Sequence, residues 1–279
     1  MIIWIASYPK SGNTWVRSFL SSYYYTKNGN FKFDLLKNIE QYPQKKFFDT
    51  KIKKPGEVSL YWNSSQEKIV SKKKTTFLKT HNSLNTINGK EFTSAKHSLG
   101  AIYIIRDPRN IITSLKNHYD FNYEETLNFM LNERKFLHNT ELSDYADFHF
   151  LNSWSNHYKS WMSNNLFKKI FIKYEDLEQN SYETFKKIVV FVNTLSSKNE
   201  KVDNKKIYNC IESTQFKKLQ EEEKKYGFSE HVFSNKTKKK INFFNLGFNN
   251  KWEKIIPQRL SKKISVTFEK DLKFLGYLE

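Results

Sequence analysis

Hydrophobic residues along the chain fall into two patterns. Short continuous apolar runs occur at Ile2 to Ala6, Phe77 to Leu78, Ala101 to Ile105 and Ile170 to Ile172. Runs without polar alternation predict strands covered on both faces, as in a parallel sheet. Between them, apolar positions recur at helical spacing. Val16, Phe19, Leu20, Tyr23 and Tyr24 follow i, i+3, i+4, i+7, i+8, an amphipathic helix. Ile112, Leu115 and Tyr119 repeat the pattern behind Asp107-Pro108, which reads as an N-cap and a first helical residue. Tyr182, Phe185, Ile188, Val189 and Val192 predict another helix, and Leu260, Ile264, Phe268 and Leu272 a single C-terminal one. Strands alternating with helices predict an α/β fold, a doubly wound parallel sheet flanked by helices. Residues 31–74 are polar, hold Pro43, Pro55 and Gly56, and show no assignable pattern. With no internal repeat and no linker, residues 1–279 are expected to form a single domain.

Composition bounds the possibilities. A chain of 279 residues with 38% hydrophobic positions, 24 Phe and 16 Tyr buries a core without covalent staples. Its one cysteine, Cys210, excludes a disulfide framework and a Cys-rich zinc site. The apolar N-terminal stretch is one strand long and lacks a basic leader, and no segment approaches the ~18 apolar residues of a spanning helix. A cytoplasmic location is therefore expected. The net charge of +18 admits nucleic acid, an anionic membrane or a polyanionic ligand as partner. Composition does not choose among these, because abundant Lys, Asn, Ile, Phe and Tyr are also what an A/T-biased genome favours.

Local chemistry narrows the choice. Tyr8-Pro9-Lys10-Ser11-Gly12-Asn13-Thr14-Trp15 follows the first strand and opens the first helix. A strand, a tight turn and a helix N-terminus make an anion site, because free N–H groups and the positive dipole end converge on the ligand. Lys10 adds charge; Ser11, Asn13 and Thr14 add hydrogen-bonding groups. The Lys precedes the Gly and no G-x-x-x-x-G-K-[ST] occurs, so this is not the nucleotide-kinase loop. Arg106 ends the third apolar run, and its planar guanidinium suits a phosphate. Ser114, eight residues on, reaches the same anion if its helix folds back over the strand. The bland alternative pairs Arg106 with Asp107 and leaves Ser114 on the surface. Lys79 and His81 end the second run two residues apart, on one side of it. Ligands of parallel sheets bind at the carboxyl ends of strands, which would turn His81 toward Lys10. A neutral imidazole there suits removal of a proton from an acceptor hydroxyl.

Taken together these segments resemble the sulfotransferases that use 3′-phosphoadenosine 5′-phosphosulfate (PAPS). Tyr-Pro-Lys-Ser-Gly-x-Thr-Trp resembles the family's 5′-phosphosulfate loop, Arg106-(x)7-Ser114 its 3′-phosphate motif, and Lys79-Thr80-His81 its catalytic-base segment. Tyr174 within Lys173-Tyr174-Glu175-Asp176 and Phe216 within Thr214-Gln215-Phe216 resemble residues near the adenine. The resemblance implies a P-loop-like sheet and sulfonate transfer from PAPS to a hydroxyl or amine. It gives His81 the role of general base, ahead of His97, His118, His138, His149, His157 and His231. Lys10 and Lys79 offset charge. The donor is held by Lys10, Ser11, Gly12, Asn13, Thr14, Trp15, Arg106, Ser114, Tyr174, Phe216 and Gly247. No metal is implied, and no histidine pair has metal spacing with carboxylates. Partners are a small-molecule or carbohydrate acceptor, without nucleic acid or a membrane span; a homodimer is open. The alternatives are a P-loop phosphotransferase and a non-enzymatic binder of polyanions. One departure stands out. Where the family carries Arg-Lys-Gly-x-x-Gly-Asp-Trp, this chain has Asn245-Leu246-Gly247-Phe248-Asn249-Asn250-Lys251-Trp252. Two charged contacts to the 3′-phosphate are thus missing, with Lys236, Lys238, Lys239 and Lys240 as nearby substitutes. Trp154 and Trp161 read as packing. Residues 31–74, 82–98 and 121–149 are expected to shape the acceptor pocket.

Overall fold

A computed structural model describes residues 1–72, 74–139, 143–197, 201–234 and 236–279. All six residues of β1 (Ile2–Ser7) are buried, as an unbroken apolar run requires of a central strand. It joins β2 (Glu40–Gln41), β3 (Thr76–Thr80), β4 (Ser98–Ile105) and β5 (Lys168–Lys173) in one parallel sheet of order β2-β3-β1-β4-β5. Each fully buried Ile or Trp side chain along these strands contributes about 1.5–3 kcal/mol of apolar burial. Alternate residues serve two cores. Ile2, Trp4 and Ala6 face one side with Leu78, Tyr103 and Ile105. Ile3 and Ile5 face the other with Phe77, Ile102, Ile104 and Ile172.

Helices cover both faces. On the Trp4 side lie α2 (Trp62–Val70), α3 (Pro108–Tyr119), α4 (Tyr123–Leu131) and α5 (Trp154–Ser163), the last through Trp154 and Trp161. On the Ile3 side lie α1 (Asn13–Tyr25), α7 (Ser181–Leu195) and α8 (Asn204–Ser213). A short α6 (Tyr174–Gln179) follows β5 directly, and α9 (Phe216–Tyr226) leads into a two-stranded hairpin, Val232–Phe233 with Lys240–Ile241. Asp107 caps α3 as predicted, its carboxylate accepting from the Arg109 N–H at 2.8 Å, with Pro108 at the first helical position.

Three local expectations change. The predicted C-terminal helix is two, α10 (Gln258–Thr267) and α11 (Glu269–Phe274), broken at Phe268, because the apolar stripe turns a corner to keep Ile264, Phe268 and Leu272 in one core. The polar face of α1 is not a solvent face: Arg17, Ser18, Ser21 and Ser22 are buried. Packing against the 33–38 turn and α8 encloses it. Residues 31–74, without a readable pattern, supply the edge strand β2 and α2. Among the described residues no helix is long and apolar enough to cross a membrane.

The topology places the site. From β1 the chain fills the β3 side, then crosses over to β4, so connections diverge at the carboxyl end of β1. Open α/β sheets carry their binding crevice at that point.

Candidate active site

All five strands deliver a residue to one cavity of about 360 Å³ at their carboxyl ends: Lys10 after β1, Gln41 of β2, Lys79 and His81 at β3, Arg106 after β4 and Tyr174 after β5. The loop after β1 makes its floor. Lys10 and Gly12 both have left-handed backbones, φ 65° and 95°. A Cβ at Gly12 would stand 2.4 Å from the Tyr174 ring, so only glycine allows this approach. No side chain caps α1 at Gly12, and its first N–H groups are left for a ligand. Asn13 and Thr14 line the cavity, but Asn13 Nδ2 donates to the Ile5 carbonyl at 3.0 Å and to Ser7 Oγ at 3.1 Å. Asn13 therefore ties α1 to β1 rather than offering its amide N–H groups outward. Ser11 is the one predicted loop residue off the cavity wall; its hydroxyl is buried without a partner.

One end of the cavity is aromatic. Trp15 lies 6.0 Å from Tyr174 and 5.7 Å from Phe248, ring centre to ring centre, and Phe216 stands 6.5 Å from Phe248. Gly247, φ 54°, lets the loop pass the Phe216 ring, which a Cβ would meet at 2.4 Å. The guanidinium of Arg106 stacks 3.9 Å from the Tyr174 ring centre, and its Nη1 donates to the Lys10 carbonyl at 3.0 Å. Its Nε–H is buried with no acceptor, a free donor at the cavity edge. Asp107 pairs with Arg109 at 2.7 Å, so Arg106 is not consumed by its neighbour. Ser114 faces the same cavity and accepts from Asn250 Nδ2 at 2.9 Å. Asn250 also donates to the Asn110 carbonyl at 2.8 Å and accepts from Thr113, joining the C-terminal loop to α3. Asn245 and Leu246 line the cavity without charge, and none of Lys236, Lys238, Lys239 and Lys240 reaches it.

The other end is charged. Lys10 Nζ rests 3.7 Å from the Phe243 ring centre. Burial, aided by Arg106 and Lys79 and opposed by Glu230, pushes its ammonium down to about 7. Lys79, whose side chain is 3% exposed, pairs with Glu230 at 2.9 Å, and burial lowers its ammonium too. The His81 ring lies beside these groups, with Nδ1 2.7 Å from the Ser7 carbonyl. That bond makes Nδ1 the donor and leaves Nε2 with the lone pair. Burial, then the Lys79 charge, hold the imidazole well below its ordinary range, so it is neutral near pH 7.

Twelve of the thirteen distinct residues proposed for the site thus meet in one cavity, Ser11 being the exception. Further residues line it, those between 137 and 149 from a stretch expected at the acceptor pocket. His118, His138 and His149 share the wall with His81, and the His149 ring centre lies 6.3 Å from that of His81, the rings tilted at 57°. His138 is paired with Asp147 at 2.6 Å. Phe248 and Asn250 come from the 245–252 segment, whose side-chain roles its pattern does not show, and Glu230 arrives from a segment with no sign of the site; Arg17, just beyond the cavity wall on α1, bonds to it. Residues 82–98, expected at the acceptor pocket, contribute none of the cavity lining; they pack against Trp62 and Trp161 instead, through Phe92.

Residues 2–276 match the model of the sulfotransferase domain family. The chain belongs to that family. Its fold is shared by mouse sulfotransferase SULT7A1, solved with 3′-phosphoadenosine 5′-phosphate (PAP): 16% identity, 98% of this chain and 84% of that one, TM-score 0.55. Retinol dehydratase in complex with retinol and PAP is similar over 98% of this chain and 81% of that one, at 16% identity and TM-score 0.61. A second retinol dehydratase structure, with androsterone and inactive cofactor PAP, covers 98% and 80% at 14% identity and TM-score 0.55. No curated protein matches the sequence. Membership makes the chain a sulfotransferase and sets aside the phosphotransferase and the non-enzymatic binder.

Proposed function

We propose that the chain transfers a sulfonate from PAPS to a hydroxyl, or an amine, of a small acceptor, with His81 as general base. The observation that carries this is the 2.7 Å bond from His81 Nδ1–H to the Ser7 carbonyl, in a cavity shared with Lys10 and Lys79. It fixes the tautomer and leaves Nε2 free to take the acceptor's proton. Burial keeps that nitrogen unprotonated, ready before the acceptor arrives. PAP, named with the neighbouring structures, is the nucleotide part of the donor, and the residues present fit it. Buried donors without partners stand at Ser11 Oγ, Trp15 Nε1 and Arg106 Nε, and the glycine-lined floor is open to a phosphate. In this reading Trp15, Tyr174, Phe216 and Gly247 hold the adenine, and Gly12, Asn13 and Thr14 hold the 5′-phosphate, with Ser11 contributing from behind the wall. Arg106 and Ser114 take the 3′-phosphate. PAPS supplies the activated sulfonate; Lys10 and Lys79 meet the charge that builds up as it transfers. Catalysis then rests on positioning and electrostatics, as in phosphoryl transfer.

His81→Ala is the test. It is expected to slow sulfonate transfer by about 10²–10⁴-fold. PAP should still bind, because His81 is not among its contacts. Near-full turnover by the variant would remove His81 from the mechanism.

A further inference from the structure

One charged group in the cavity has no part in that chemistry. Glu230 sits in the turn between α9 and the hairpin, and its carboxylate reaches into the cation cluster. Oε1 accepts from Lys79 Nζ at 2.9 Å and from Arg17 Nη1 at 2.8 Å, and Oε2 from the Thr14 hydroxyl at 3.3 Å. The side chains of Lys79 and Arg17 are only 3% and 11% exposed, so each depends on an anion for its charge. Arg17 is further fixed by the Ile39 and Leu36 carbonyls. Glu230 keeps 24% of its side chain exposed and follows Gly227, whose φ is 77°. The cations are therefore set in the frame, and the carboxylate approaches them from the open side.

A carboxylate bonded to Lys79 takes one of its three N–H donors and neutralises its charge. Two anions brought to one buried ammonium repel each other, so a sulfonate there competes with the carboxylate. We propose that Glu230 fills the sulfonate subsite when the donor is absent and gives up Lys79 when PAPS binds, a proposal that rests on the role of Lys79 given above. Arg17 retains the displaced carboxylate, since it bonds the same oxygen from outside the subsite. Glu230 is then an internal competitor that acts chiefly on PAPS; PAP, which has no sulfonate, meets it only through the Thr14 hydroxyl, where Oε2 stands at a long 3.3 Å. Between turnovers it keeps Lys79 and Arg17 compensated.

Calorimetric titration of PAP and of PAPS, without acceptor, into wild-type protein and Glu230→Gln tests this. Glutamine keeps the size and an acceptor oxygen and removes the charge. PAPS should bind the variant about tenfold more tightly, while PAP changes by less than about threefold. Equal gains for the two ligands, or an unchanged or weakened PAPS affinity, would overturn the proposal. Wild-type protein that binds neither ligand would overturn the PAPS reading itself. Glu230→Asp guards against a glutamine variant that does not fold: its arm is one methylene shorter, so PAPS should gain in the same direction by a smaller factor. No gain there contradicts the proposal equally.

Discussion

Lys10 stands against the Phe243 ring with Arg106, Lys79 and Glu230 as its charged neighbours. With its ammonium at about 7, it is half charged in neutral solution. A bound phosphate favours the charged form and raises that value. Binding of PAP at pH 7 should therefore take up about half a proton per site, and affinity should fall as pH rises above 7. Calorimetry in two buffers of different ionisation enthalpy measures the uptake; a value of zero would mean that Lys10 does not meet the anion. Much of this residue-level chemistry was legible. Lys10, Gly12 and Thr14 are adjacent in sequence, and local turn geometry brings them together. The use of the Asn13 side chain was not legible, because its partners, Ile5 and Ser7, become visible only when α1 folds back on β1.

At the scale of elements, the strand ends carry the site and the loops close it. Four apolar runs located four of the five strands of the sheet, and the residues that line the cavity stand within a few positions of the runs' carboxyl ends: Lys79 and Arg106 directly, Tyr174 and Lys10 two and four residues on. The edge strand β2 escaped because its two residues, Glu40 and Gln41, are polar and pair on one side only. The C-terminal loop, which lacks the family's Arg and Lys, is held by Asn250 instead. Its bonds to Ser114, Thr113 and the Asn110 carbonyl link that loop to α3. Asn250→Ala is expected to cost about 2–3 kcal/mol of stability, three buried hydrogen bonds being lost. It should also weaken PAP by about tenfold while leaving adenosine 5′-monophosphate nearly unchanged, because it frees the hydroxyl placed at the 3′-phosphate. Urea denaturation and paired titrations check both; equal loss for the two nucleotides would detach Ser114 from the 3′-phosphate.

Across the whole molecule, the charge of +18 reduces to a few working cations. Lys10, Lys79, Arg17 and Arg106 gather at the carboxyl ends of the strands, whereas Lys72, Lys74 and Lys238 to Lys240 lie exposed. The excess is a solvated surface. The histidines and Glu230 at the reactive end were legible to different degrees. His118 lies on α3 one turn beyond Ser114, His138 and His149 fall within the stretch expected at the acceptor pocket, and Glu230 comes from a segment no motif touches; only the closed fold puts them on one wall with His81. A sequence motif marks where backbone and ligand meet; it carries no record of distant segments that complete the pocket. The most direct test of the account is transfer of label from sulfonate-labelled PAPS to a mixed panel of phenols, sugars and amines, for wild-type protein and His81→Ala side by side. Labelled product and stoichiometric PAP are expected from the wild type, and both about 10²–10⁴-fold more slowly from the variant although it binds PAP. Product at equal rates from both proteins, or labelling only when a labelled ATP replaces PAPS, would contradict it.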